Sequence, residues 1–227
     1  MSSTLFAQFE NIVVLDTETT GIRHKDDEII ELAALRAVCR NGVLETAEET
    51  DLLIRLSPNR HLPPLIEDLT GITEAQLATE GVSKEFAARQ FAEMIRRPNT
   101  LLVAYNAQFD LCFLYYFLAR CGLADSLKNL HMLDAMTVYK DRRDFPHKLA
   151  NAIEAYHLQG ENTHRAIDDA KATLELLEAM AAEKDDLARY INLFGYVKKY
   201  GVSGPRISSI TYRAQPYDRK IPLYDLP

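Results

Sequence analysis

Three apolar, strand-like segments follow one another before any helical period begins, and this order narrows the fold more than any other feature of the chain. Asn11–Asp16 contains the run Ile12-Val13-Val14-Leu15, β-branched and continuous, as expected of a strand buried on both faces. A polar, glycine-containing stretch continues through Asp27. Glu28–Val38 is a second, mixed apolar run ending near Asn41-Gly42, a pair suited to the positive φ of a tight hairpin turn. Thr50–Leu56 is the predicted returning strand, so the opening third reads as three consecutive, antiparallel strands.

The period then becomes helical. Short helices are predicted over 63–69 and 73–77, and a longer one over Ser83–Arg97. Ser83 N-caps it, Phe86, Gln90, Phe91, Met94 and Ile95 form its stripe, and Pro98 ends it. Leu101–Tyr105 is a fourth strand. Asn106 is a candidate N-cap for a helix running to about Cys121, with Gly122 beyond its end. Leu130–Leu133 reads as a fifth strand, with Asp134 capping the next helix, and 148–156 and 165–184 read as helices. Consecutive strands followed by alternating helices and strands predict an α/β domain with a mixed central sheet over residues 1–185. Residues 186–227 differ in composition and read as a C-terminal extension. Tyr190 to Tyr224 holds six of the eleven tyrosines, and residues 196–220 carry Lys198, Lys199, Arg206, Arg213, Arg219 and Lys220 against the single acid Asp218.

The 227 residues contain 33 acids and 26 Lys plus Arg, a net charge of −7. An acid excess argues against gripping nucleic acid by bulk charge, though not against local contact. No apolar run approaches the length of a membrane span, and Met1–Phe9 lacks the regions of a secretory signal. Cys39, Cys112 and Cys121 form no CxxC pair, which fits buried thiols in a reducing cytoplasm.

Three phrases combine carboxylates with the ends of apolar elements. Asp16 and Glu18 flank Thr17 directly after the first strand, and side chains at i and i+2 of an extended segment share a side. Two carboxylates held together there are costly to keep ionised, and a divalent cation with oxygen ligands, Mg²⁺ or Mn²⁺, would compensate them. Asp110, in Asn106-Ala107-Gln108-Phe109-Asp110, follows another buried strand by one helical turn. His164-Arg165-Ala166-Ile167-Asp168-Asp169-Ala170 opens the long last helix. Read singly, each admits a plain explanation: a solvated pair, or acids complementing a helix dipole. Together, carboxylates from separate elements suit a pair of metal ions, and a nearby His suits proton transfer from an attacking water. That combination cleaves phosphodiesters.

These phrases resemble the three motifs of the DEDD 3′–5′ exonucleases, histidine subclass. The group includes the epsilon proofreading subunit of bacterial DNA polymerase III, ribonuclease T and oligoribonuclease. Asp16 to Gly21 matches D-x-E-T-T-G, Asn106 to Asp110 matches N-x-x-F-D, and His164 to Ala170 matches H-x-A-x-x-D-A, in the family's order. Thr70-Gly71-Ile72-Thr73 also resembles a stretch common between the first two motifs, and the likeness covers about residues 10–182.

The resemblance implies a ribonuclease-H-like fold, a five-stranded mixed β-sheet flanked by helices on both faces. It implies two Mg²⁺ or Mn²⁺ ions held by Asp16, Glu18, Asp110 and Asp169, with His164 as general base. On a regular helix Asp168 would share the face of His164 better than Asp169; the family pattern places the ligand at Asp169. By the same analogy Thr19, Thr20, Gly21 and Ile22, with Asn106, are expected to hold the terminal nucleotide.

The implied activity is 3′–5′ removal of 5′-mononucleotides from single-stranded or frayed DNA. The alternatives are an RNA-trimming exoribonuclease and a non-catalytic binding or assembly module. Tyr105 and Phe109 are available for base stacking, with core packing the plainer role for both. The other histidines, His24, His61, His131, His147 and His157, lack ligand-like spacing. The extension reads as a strap on the domain, a homodimer contact, or a platform for single strands. Within it, Tyr190-Ile191-Asn192-Leu193-Phe194 is similar to the Q-L-x-L-F peptides that dock on sliding clamps, without the leading Gln. A DNA polymerase or its clamp is the partner this implies.

Overall fold

Strand β1 (Asn11–Thr19) lies at the centre of a five-stranded sheet whose order is β3-β2-β1-β4-β5. The computed structural model describes residues 3–216 and 221–226. Arg219, Lys220 and Asp218, counted in the extension's charge, lie outside the described residues, as does Tyr217.

β2 (Ile29–Arg40) and β3 (Val43–Leu53) continue from β1 as antiparallel neighbours, joined at Asn41 (φ 52°) and Gly42 (φ 86°). Both turn residues have the positive φ that the Asn-Gly signal requires. The returning strand starts at Val43, not Thr50. Its first residues are mostly polar because β3 is the sheet edge, where charged side chains face water and discourage further pairing.

β4 (Thr100–Ala104) and β5 (His131–Asp134) run parallel to β1 on its other side, so the sheet is mixed. The helices of the domain are α1 (Thr4–Gln8) before β1, α2 (Pro64–Thr70), α3 (Glu74–Thr79) and α4 (Lys84–Ile95) between β3 and β4, α5 (Ala107–Arg120) between β4 and β5, and α6 (Ala135–Arg142), α7 (Leu149–Tyr156) and α8 (Ala166–Glu183) after β5.

Alternate residues of β1 feed two cores, as a period of two demands. Ile12 and Val14 pack with Leu176, Leu177 and Met180 of α8, while Val13 and Leu15 pack with Phe91 of α4 and Leu114 of α5. Helices therefore cover both faces. Each fully buried aliphatic side chain contributes about 1.5–3 kcal/mol, which keeps β1 fixed up to the point where its sequence turns polar.

Ser83 caps α4 by accepting from the Phe86 N–H at 3.2 Å, as expected. The inward stripe differs, however: Ala87, Ala88, Phe91, Ala92, Met94 and Ile95 are buried, whereas Phe86 is 43% exposed and Gln90 faces solvent. Ala87 and Ala88 take the inner face near the helix start in place of Phe86.

The extension is laid against the domain. Its described part adds β6 (Leu193–Tyr196) and β7 (Thr211–Ala214), a parallel pair not foreseen from the sequence. Leu187, Tyr190, Leu193 and Leu223 join the α8 core, and the Tyr190 hydroxyl donates to Asp141 at 2.6 Å. Leu193 and Phe194 are 6% and 2% exposed, so the segment similar to a clamp-docking peptide is buried rather than displayed. Among the described residues no helix is long and apolar enough to cross a membrane.

Candidate active site

Past Leu15 the alternation of β1 continues with different chemistry. Asp16 and Glu18 lie on the face of Ile12 and Val14, toward α8, and both are half-buried. Thr17 takes the other face, where its hydroxyl donates to Asp110 Oδ1 at 2.7 Å. Asp110 is 2% exposed in the first turn of α5, just beyond the carboxyl end of β4. In open α/β sheets this end of the parallel strands is where sites form.

Asn106 occupies the N-cap position of α5 but does not cap it with its side chain; its φ is 69°. Asp134, at the end of β5, performs that role from the neighbouring strand. Its Oδ1 accepts from the N–H groups of Asn106 and Ala107 at 3.0 and 3.1 Å. The same oxygen accepts from the Met136 N–H at 3.3 Å, and Oδ2 accepts from the Thr137 hydroxyl at 2.5 Å. One buried carboxylate thus caps α5 and α6 together.

The third phrase arrives from the loop between α7 and α8. His164 is exposed and has φ 59°, a left-handed conformation that turns the chain sharply into the helix. Donor atoms of Glu18, His164 and Asp169 lie within 4.8 Å of one another. Asp169 is 6% exposed and accepts from Asn162 Nδ2 at 2.5 Å; its other oxygen, Oδ1, is buried without a hydrogen-bond partner among the described residues. Asp168 instead accepts from the Thr163 hydroxyl at the margin.

A fifth carboxylate went unnoticed in the sequence. Glu31 of β2 is wholly buried and pairs directly across from Glu18. Arg165 Nε and Nη2 donate to its Oε1 at 2.9 and 2.6 Å, and the Ala166 N–H donates to Oε2 at 2.8 Å. The available signal was a lone acid inside Ile29-Ile30-Glu31-Leu32-Ala33. Glu31 thereby fixes the residue after His164 and the first amide of α8.

The electrostatic result is a concentration of negative charge. Burial, then repulsion from Asp110, Glu18, Asp169 and Glu31, raises the Asp16 carboxyl well above the usual range. Burial and the charges of Asp169, Glu31 and Asp110 push Glu18 up to about 8. Burial raises Asp110 to about 7 against the opposing Thr17 hydrogen bond, and burial also raises Asp169. Such a set lacks positive charge rather than packing. All-oxygen donors and an unpartnered buried carboxylate oxygen fit hard divalent cations.

At the margin, the Thr19 hydroxyl donates to the Gly21 carbonyl at 2.6 Å, and Thr20 Oγ1 accepts from the Glu28 N–H at 2.9 Å. A Cβ on Gly21 would meet Asp27 Oδ2 at 2.5 Å, so glycine is needed for close approach. Ile22 is 81% exposed, an apolar side chain standing free on the loop after β1, and Asn106 is exposed as well. Tyr105 is buried and donates to the His147 carbonyl at 2.9 Å, and Phe109 packs on Phe113. Both rings therefore belong to the core.

The RNase_T family, described as exonuclease, matches residues 13–177. The chain is 31% identical over 183 residues to the DNA polymerase III subunit epsilon of Treponema pallidum, covering 78% of this chain and 80% of that protein. It is 33% identical over 181 residues to the 3′-5′ exonuclease DinG of Bacillus subtilis, covering 75% of this chain but 18% of the relative. It is 28% identical over 214 residues to a PolC-type DNA polymerase III of Caldanaerobacter subterraneus, of which it spans 14%. Among solved structures, an E. coli exonuclease I complex with single-stranded DNA superposes with a TM-score of 0.71 at 20% identity, over 81% of this chain and 43% of that one. This likeness is one of fold, the ribonuclease-H-like arrangement of a five-stranded mixed sheet between helices.

Proposed function

The chain belongs to the RNase_T exonuclease family, and from that membership we propose that it is a metal-dependent 3′–5′ exonuclease acting on single-stranded or frayed DNA. The observation that carries the reading is the convergence of Asp16, Glu18, Asp110 and Asp169 at one end of the sheet, with His164 beside Glu18 and Asp169. We assign the catalytic unit to residues 1–185 and read 186–227 as an appended segment.

The four carboxylates would hold two Mg²⁺ or Mn²⁺ ions. When bound, such ions neutralise charge developing on the phosphoryl group and steady the departing 3′-oxygen. His164 is exposed and close enough to take the proton of an attacking water. Water oxygen bonds to phosphorus as the bond to the 3′-oxygen breaks, releasing a 5′-mononucleotide and leaving a new 3′-OH. Glu31 and Arg165 position the backbone that carries His164. The backbone around Thr19, Thr20 and Gly21, the exposed Ile22 and Asn106 receive the terminal nucleotide, Ile22 offering an apolar face to a base or sugar.

The names of the epsilon and PolC relatives support DNA over RNA and a DNA polymerase as working partner. The burial of Leu193 and Phe194 argues against clamp docking through that segment. Matched DNA and RNA strands, labelled to follow 3′ shortening, test the reading. With Mg²⁺ or Mn²⁺ the DNA should shorten from its 3′ end and EDTA should stop it. Faster RNA shortening would favour the exoribonuclease alternative, and intact strands of both kinds would leave a binding module.

A further inference from the structure

A groove opens between α6 and the C-terminal extension. It has a volume of about 550 Å³ and is walled on one side by α6 and the loop that follows it, through Met136, Lys140, Phe145 and Lys148. The other wall is the C-terminal extension, through Val197 and Tyr200. Phe145 is 76% exposed and Tyr200 75%, two large rings left in water. Lys198 and Lys199 adjoin Tyr200, are exposed, and the Lys199 ammonium lies 5.2 Å from the Tyr200 ring centre.

None of the ion pairs among the described residues engages Lys140, Lys148, Lys198 or Lys199. Arg143 is held by Glu183 at 2.7 Å, and Asp144 is the acid of this loop. Positive charge therefore dominates here in a chain whose net charge is −7.

The groove connects to the site through covalent and hydrogen-bonded neighbours. Met136 follows Asp134, whose carboxylate holds the amides of Asn106 and Ala107. The Tyr105 hydroxyl anchors the loop at the His147 carbonyl. Three residues after Tyr200, the Ser203 carbonyl accepts from Gln108 Nε2 at 2.8 Å, and the Pro205 carbonyl accepts from the same nitrogen. Gln108 is two residues from Asp110. β1 and β5 are two strand spacings apart, about 10 Å, and Met136 of the groove wall follows the carboxyl end of β5.

We propose that this groove seats the single-stranded DNA that lies upstream of the cleaved end, with Phe145 and Tyr200 stacking on bases and Lys148, Lys198 and Lys199 meeting phosphates. The proposal rests on the exonuclease reading and adds the path of the strand. A groove combining unpaired cations with exposed rings has the chemistry of single-strand binding, since every base offers a π-face and every linkage a charge. A short substrate would occupy the acidic centre alone, and a longer one both.

The test compares the wild-type chain with Phe145→Ala/Tyr200→Ala and with Lys148→Gln/Lys199→Gln. Affinity for a fluorescent oligodeoxythymidylate of about 16 nucleotides and for a trimer is measured with Mn²⁺ present in a His164→Gln background, which keeps the ions that receive the short strand while slowing cleavage. Hydrolysis of thymidine 5′-p-nitrophenyl phosphate with Mn²⁺ reports the centre itself. Each pair should weaken the long strand about tenfold, a loss of about 1.4 kcal/mol. The lysine pair should also reduce the slope of log K against log salt by about 1.4, at about 0.7 per phosphate contact. Trimer binding, ester hydrolysis and melting temperature should stay at wild-type values. Unchanged affinity for the long strand, or equal weakening of trimer and long strand, would overturn the groove. A wild-type chain that cleaves neither the ester nor a DNA strand would instead overturn the exonuclease reading.

Discussion

At the scale of single residues, the two adjacent acids opening α8 have separate environments. Asp169 is buried beside Glu18 and His164 with one oxygen unpartnered among the described residues, while Asp168 accepts from Thr163 toward solvent. Asp169→Asn should therefore lower metal-dependent hydrolysis by roughly 100-fold or more, and Asp168→Asn should leave it within about threefold. The measurement is the rate of 3′ shortening with Mn²⁺, and the reverse ranking would remove Asp169 from the ligand set. Glu31 makes a different prediction because it is structural. Its buried charge depends on Arg165, whose side chain is 38% exposed. Arg165→Met strips the cation from Glu31 and from the neighbouring Asp51, and should cost about 2 kcal/mol in chemical denaturation, below the cost of a fully buried pair because solvent reaches one side.

At the scale of elements, Asp134 shows what local sequence conceals. Asn106 precedes α5 with a residue type suited to capping, and the phrase Asn106 to Asp110 is otherwise legible as strand, turn and first helical turn. Its cap nevertheless comes from 28 residues further along the chain, because β5 pairs parallel to β4 and brings Ala104 level with Asp134. Removing Asp134 as Ala should cost about 1 kcal/mol for each of the two helix starts, and more for the Thr137 hydroxyl it strands; urea denaturation reads the sum. Asp16, Glu18 and Asp110 drew notice because each stands where an apolar run stops, whereas the choice of Asp169 over Asp168 came from the family resemblance. Glu31 was not, since an isolated acid in a strand shows its meaning only once Glu18 is found opposite and Arg165 arrives from a different element. The early part of β3 was hidden for a related reason: an edge strand can be mostly polar. In the extension, Tyr190 and Leu193 became part of the α8 core and Phe194 part of the core on the other face, which a segment similar to a docking peptide does not show until the surfaces it covers are known.

At the scale of the whole molecule, the acid excess is unevenly used, and stability should follow two separate ledgers of charge. One part is compensated within the protein. Glu28, 8% exposed at the start of β2, receives Lys84 Nζ at 2.8 Å and the Ser57 N–H at 3.0 Å, tying β2 to α4 and to the segment after β3. Burial alone would raise its carboxyl, but these contacts outweigh burial and hold it below the ordinary 4.5. A depressed folded-state value means this contribution is complete above about pH 4.5 and fades as the pH falls through the lower, folded value. Glu28→Gln should therefore melt below wild type at pH 7, by about 1–2 kcal/mol, and the gap should narrow as the pH drops below 4.5; a gap that stays constant to pH 3 would contradict the pairing. The other part, at the candidate active site, is left uncompensated by the chain itself. A divalent cation held there would bind the folded state alone, so millimolar Mn²⁺ should raise the melting temperature by an amount that grows as RT ln(1 + [Mn²⁺]/Kd). Asp110→Asn removes one charge from the repelling group, so it should melt at or above wild type in EDTA yet lose most of the response to Mn²⁺. Calorimetry with and without the ion separates these outcomes. A variant that melts lower in EDTA but keeps its Mn²⁺ response would mean that Asp110 serves packing through Thr17 rather than the ion, and that the excess of acid at this end of the sheet has some other use.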